Sequence, residues 1–214
     1  MKKTLKVLLV VLLVVAVALG WFLVNNRDYI KALFLAEENT GTEISTNIGE
    51  RERRTVETLG KYVPIKEIKE ESGEYNGLEY EKQSVENIKS AIDYDSLDNI
   101  QAEITKYILR LYELKSEYLG RAEALIQKAK SEFYSLPADD RNVDNRTKII
   151  LKYSKDAYSA LAQCDSEVNK ICNSLEKYLK DNKADTSIVS EIKKAYEEEK
   201  TLKKAYYINK YIGE

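Results

Sequence analysis

The sequence predicts an all-α chain. Its parts are an N-terminal single transmembrane helix, an irregular linker and an elongated antiparallel three-helix bundle with coiled-coil-like packing, or four helices if a short one over 80–92 joins it. Three observations carry that expectation. Only two prolines and eight glycines interrupt 214 residues, of which 33% are charged, a mixture rich in straight-chain side chains that lose little freedom in a helix. Val7–Val24 runs eighteen residues without a charge. From Asp95 onward, apolar residues recur at steps of three and four, the period of one helix face. The chain accordingly divides into a tail and signal-anchor over 1–26, a juxtamembrane segment and linker over 27–79, and a helical bundle over 80–214.

The run VLLVVLLVVAVALGWFLV is long enough to cross a bilayer, since a helix of that length spans roughly 27 Å. Lys2, Lys3 and Lys6 flank it on the N-terminal side, which places that side in the cytoplasm and the remainder outside. Lys6 and Val7 mark one boundary of the anchor. Trp21 and Val24 mark the other, with Trp21 at the depth where an interfacial aromatic holds a spanning helix. The expected partner of residues 7–24 is therefore the lipid bilayer. The alternative is a secretory signal cleaved near Ala18, after the small-x-small triplet Ala16-Val17-Ala18. Against cleavage, the apolar run continues unbroken through Leu19, Trp21, Phe22, Leu23 and Val24. Both readings put the rest of the chain beyond the cytoplasm.

Arg27–Asn39 is expected to continue the membrane helix for a few turns or to lie on the outer interface as a short amphipathic piece. Asn39–Gly49 has a loop composition, and the alternating charges of Glu50–Arg54 read as a solvated face or linker. Pro64, Ser72-Gly73 and Asn76-Gly77 signal irregular chain, and Val85, Ile88 and Ile92 suggest a short helix. Leu97, Ile100, Ile104, Ile108, Leu111, Leu114, Tyr118, Ala122, Leu125, Ala129, Phe133 and Leu136 then mark a helix of about 40 residues, started near Asp93, Asp95 or Ser96 and stopped by Pro137. Gly120 at its middle suggests close packing or a slight bend. After the connection PADDRNVDN, Ile150, Ser154, Ala157, Leu161, Cys164, Val168, Ile171, Leu175 and Tyr178 form a coiled-coil-like seam. The turn DNKAD leads to a last helix along Ile188, Ile192, Tyr196, Leu202 and Tyr206. Short connections make neighbouring helices antiparallel.

The chemistry that composition permits is narrow. The chain has no histidine, hence neither the commonest general base nor the commonest metal ligand. All 36 acidic residues lie beyond Val24, while three of the 34 Lys and Arg precede it. That balance argues against a general nucleic-acid or anionic-lipid binder. Cys164 and Cys172, eight residues apart on one helix, stand about 12 Å apart along the axis and cannot bridge each other. Cys164 falls on the seam as a small hydrophobe, and Cys172 is the candidate for an intermolecular disulfide in an oxidising compartment. Asp140–Asn145 imitates the opening of a calcium loop but lacks the glycine at its sixth position and the acid at its twelfth, Leu151. Asp93–Asp98 fails the same test. Ser174–Lys177 and Ser190–Lys193 match a serine-x-x-lysine motif without its partner motifs. No catalytic, cofactor-binding or metal residues are expected, and the chain is not expected to be an enzyme.

The functional expectation is a membrane-anchored, extracytoplasmic helical module that acts by protein–protein interaction in the cell envelope, with an envelope protein or a second copy as partner. The alternative is a ligand-binding or sensing ectodomain that signals through a membrane partner.

Overall fold

The computed structural model describes residues 27–66 and 74–212. The stretch Val7–Val24 expected to be an anchor, with Lys6 and Trp21 at its boundaries, lies outside the described residues; among the described residues no helix is long and apolar enough to cross a membrane. What is described is all-helical: α1 (Arg27–Glu38), α2 (Gly41–Leu59), α3 (Leu78–Ala91), α4 (Asn99–Ser135), α5 (Val143–Asp181) and α6 (Ser187–Ile212). Single 3₁₀ turns at Tyr94–Ser96 and Ala138–Asp140 join α3 to α4 and α4 to α5.

Arg27–Glu38 is helical as expected, but the stretch after Asn39, expected to be loop and linker, is also helical over Gly41–Leu59, and its sequence shows why. Thr40-Gly-Thr-Glu43 is a capping box. The Glu43 carboxylate accepts from the Thr40 backbone N–H at 2.7 Å, and the Glu43 N–H donates to Thr40 Oγ1 at 3.2 Å. Two backbone donors at the start of α2 are thereby satisfied. Ile44, Ile48 and Leu59 then bury one face of α2. Loop-like residues mask this face because its middle is charged: Arg51 and Glu52, which read as solvated, are both mostly covered.

The other caps also differ in detail from expectation. Asp98 starts α4 in a reciprocal box with Gln101, while Asp93, Asp95 and Ser96 belong to the preceding turn. Asn142 starts α5, accepting from the Asn145 N–H at 3.0 Å. Gly77, before α3, has φ 100, a conformation open mainly to glycine. Gly120 is spacious: a methyl there would meet Leu78 at an ordinary 3.7 Å, so close packing does not account for it.

The described residues fall into two compact units. The first holds 27–51 and 196–212. In it, α2 runs antiparallel to the end of α6: Arg51 pairs with Glu198 at 3.0 Å, and Gly41 lies against Asn209. Ala32, Ile44, Ile48, Ala205 and Tyr206 are buried there.

The second unit, 52–195, is built on the antiparallel pair α4 and α5, with α3 packed on α4. Its core gathers at one end of that pair: Val85, Ile88, Ile104, Ile108 and Leu114 on α3 and α4, Val168, Leu175 and Leu179 on α5, and Ile188, Val189 and Ile192 on the start of α6. Ile65 and Ile92 add an isolated antiparallel bridge, and Tyr62 and Ser187 share a hydrogen bond of 2.8 Å. Beyond Leu114 α4 buries no residue fully, and before Cys164 α5 buries only Ile149. The expected bundle is thus confined to the inner half, and the outer half is a two-helix hairpin. Helices of 37 and 39 residues reach about 55 Å, much farther than the 14-residue α3.

A charged cluster sits inside this core. Lys115 Nζ contacts Glu52 Oε2 at 2.9 Å and Glu81 Oε2 at 3.4 Å, and Glu81 is only 1% exposed. The same ammonium lies 4.5 Å from the centroid of the Tyr112 ring. One cation therefore joins α2, α3 and α4. Removing it leaves two acids beside apolar side chains, and breaking a buried pair in this way typically costs about 3–5 kcal/mol. Lys115→Met is expected to destabilise the protein by about 3 kcal/mol, near the low end because Lys115 keeps some exposure. Urea unfolding at neutral pH measures it, and a change below about 1 kcal/mol would show that the cluster is incidental.

Candidate functional site

The outer hairpin carries the surface that sets this fold apart. α5 meets α4 along one side, where Ile149 is buried and Tyr153 donates its hydroxyl to Glu132 at 2.8 Å. Lys152 Nζ reaches the same Glu132 oxygen at 2.6 Å. On a neighbouring side Val143, Ile150, Leu151 and Tyr158 remain 68%, 39%, 66% and 58% exposed. At about 100° per residue these four fall within an arc of roughly 100°, so they form one stripe some 22 Å long. Tyr134, near the end of α4, is 63% exposed. Large side chains scattered singly on a surface need no explanation, but an aligned group does.

The stripe partly continues the seam read from the sequence. Cys164, Val168 and Leu175 are buried along the inner half of α5, where the start of α6 brings Ile188, Val189 and Ile192. Ile150 continues the same line outward but is exposed. Val143, Leu151 and Tyr158, at steps of eight and seven, are the part that seam reading missed. Their regular spacing beside the seam is the signal that could have found them.

Glu132 joins α4 to α5 beside the stripe. The Lys152 and Tyr153 hydrogen bonds to its charged form keep the Glu132 carboxyl below the usual value of 4.5, while Lys152 and Tyr153 are both pushed up, chiefly by their hydrogen bonds to Glu132. A depressed carboxyl stabilises the fold above its ordinary pKa, and that contribution is lost as pH falls through the lowered value.

The two cysteines sit deep in the second unit. Cys164 is buried, and Cys172 has no exposed surface. Burial pushes the Cys172 thiol up, against a smaller opposite effect of Lys193. The intermolecular disulfide considered for Cys172 would therefore require α5 and α6 to part.

Of the remaining sequence candidates, Asp140 lies in a 3₁₀ turn and its carbonyl accepts from the Asn145 side chain; the stretch serves as the helix start. Ser190 donates to the Ser187 carbonyl at 2.8 Å, and Lys177 lies on the surface 3.6 Å from Asp181. Among the described residues, no group of three or more Cys, Asp or Glu is arranged to hold a metal ion. The fold and site define an all-helical protein with antiparallel packing. Comparison with protein-family models, curated protein sequences and solved structures finds no match.

Two outcomes are expected. Glu132→Ala lowers amide protection factors over 143–158 without changing those at 168–179, and acidification through the lowered Glu132 value does the same in the unaltered chain when exchange is compared with the intrinsic rate at each pH. In native buffer a thiol reagent modifies neither cysteine within minutes, whereas both react in denaturant; rapid native labelling at Cys172 would mean that the α5–α6 packing opens readily.

Proposed function

We propose that the chain is a membrane-tethered, extracytoplasmic helical module that acts by protein–protein contact, and that the outer α4–α5 hairpin is the contact surface, pairing with a second copy. The observation that carries the reading is the exposed apolar stripe of α5. Its order is self-complementary. In an antiparallel pairing about the midpoint of Ile150 and Leu151, Val143 faces Tyr158, Thr147 faces Ser154, and Ile150 faces Leu151 of the other copy. Asp144 and Lys155 lie on one flank of the stripe at opposite ends, so the same pairing brings Asp144 of one copy near Lys155 of the other. The tether is supported by the eighteen uncharged residues of Val7–Val24 and the lysines before them, and the same charge asymmetry favours a cytoplasmic N-terminus.

Such a stripe buries less than the roughly 1,200 Å² of a standard interface, so association in solution is weak. Confinement to one membrane face raises the effective concentration and turns a weak contact into a populated one. The test uses the full chain in bilayers. A cysteine introduced by Leu151→Cys is expected to form a disulfide-linked dimer on mild oxidation, while one introduced at an exposed position of α6 by Glu191→Cys does not. Energy transfer between labelled copies should fall about tenfold with Leu151→Asp. Absence of both signals would overturn self-association, and cross-linking of Leu151→Cys to a different protein would replace the second copy as partner.

A further inference from the structure

We infer that the face of α1 bearing Tyr29, Leu33 and Phe34 lies on the surface of the lipid bilayer and holds the first unit flat against it. The inference rests on the reading of Val7–Val24 as a membrane anchor. The three side chains are 36%, 38% and 58% exposed, whereas Ala32 on the other side of α1 is fully buried. That other side is already committed to protein: Asn209 of α6 donates its side-chain amide to the carbonyls of Ala36 at 3.1 Å and Asn39 at 3.2 Å. α1 therefore cannot turn to bury its apolar residues without losing the contacts that hold it.

Covalent continuity selects lipid as the occupant. α1 begins at Arg27, three residues beyond Val24 at the end of the apolar run, a distance of at most about 11 Å even when fully extended. Its first turn is thus always at the bilayer boundary, whatever the concentration of other copies. A helix in the interfacial plane sinks its apolar side by about 5–10 Å, a depth within reach of Tyr29, Leu33 and Phe34. α1 ends after Glu38: the Asn39 side-chain amide closes on the Leu35 carbonyl at 3.0 Å, and α2 starts again with its own capping box.

The experiment places a single tryptophan on α1. The full chain carrying Trp21→Phe and Phe34→Trp is reconstituted in phosphatidylcholine vesicles with a minor share of phosphatidylglycerol, with Trp21→Phe and Glu57→Trp as the control. The indole introduced on α1 is expected to emit blue-shifted from the control and to lose about half its intensity when the lipids are brominated near the carbonyl level. Alkaline carbonate washing of the unaltered chain is run alongside. If the chain stays in the membrane but the α1 indole emits like the control and is unquenched, the α1 inference falls and the anchor stands. If the chain washes off, the anchor reading fails and the inference with it. Emission that is blue-shifted but insensitive to brominated lipid means that protein covers the face, which also overturns the inference.

Discussion

Lys115 is the point on which the second unit depends. Its ammonium touches carboxylates from two other helices, Glu52 of α2 and Glu81 of α3. Charged groups enter a core only when their partners come with them, because an uncompensated charge is costly where water is excluded. The register of α2 and α3 on α4 is therefore set by ion pairing as well as by apolar fit. A slip of one helical turn would move a carboxylate away from the ammonium, whereas Ile or Val could repack. Apolar packing alone tolerates such alternatives more readily.

The same economy explains the shape of the α4–α5 pair. At the inner end α3 packs on α4, and Ile104, Ile108, Val168 and Leu175 are buried. Farther out each helix has only the other as neighbour, and one partner cannot cover more than one side of a helix. Whatever apolar residues lie outside that contact must face solvent or something else. Glu132, held by Lys152 and Tyr153, ties the two helices together there, beside the outward side of α5. In the proposed reading, the inner half serves stability and the outer half serves contact.

Several elements were legible from residues alone because their cause is local. Apolar steps of three and four marked α4 and α5 nearly to their ends, and Pro137 marked the break between them. α2 was not legible. Its buried apolar positions are Ile44, Ile48 and Leu59, and the interval is rich in charges whose partners lie far along the chain: Glu198 for Arg51 and Lys115 for Glu52. A pattern rule counts such residues as solvated, and only the capping box at Thr40 and Glu43 gave a local sign of the helix. The stripe of Val143, Leu151 and Tyr158 was hidden for a different reason. Seam reading selects one apolar line per helix, and the stronger line through Cys164 and Val168 took precedence.

Helix content, breaks, the absence of histidine chemistry and the uncharged run of Val7–Val24 belong to the chain before it folds, since each follows from residues within a few positions of one another. Packing in three dimensions brought Glu52, Glu81 and Lys115 together, buried Cys172 and left the outer stripe of α5 exposed. Those outcomes depend on which helices are long enough to cover which others. Coverage is a relation between distant segments, and no local period records it.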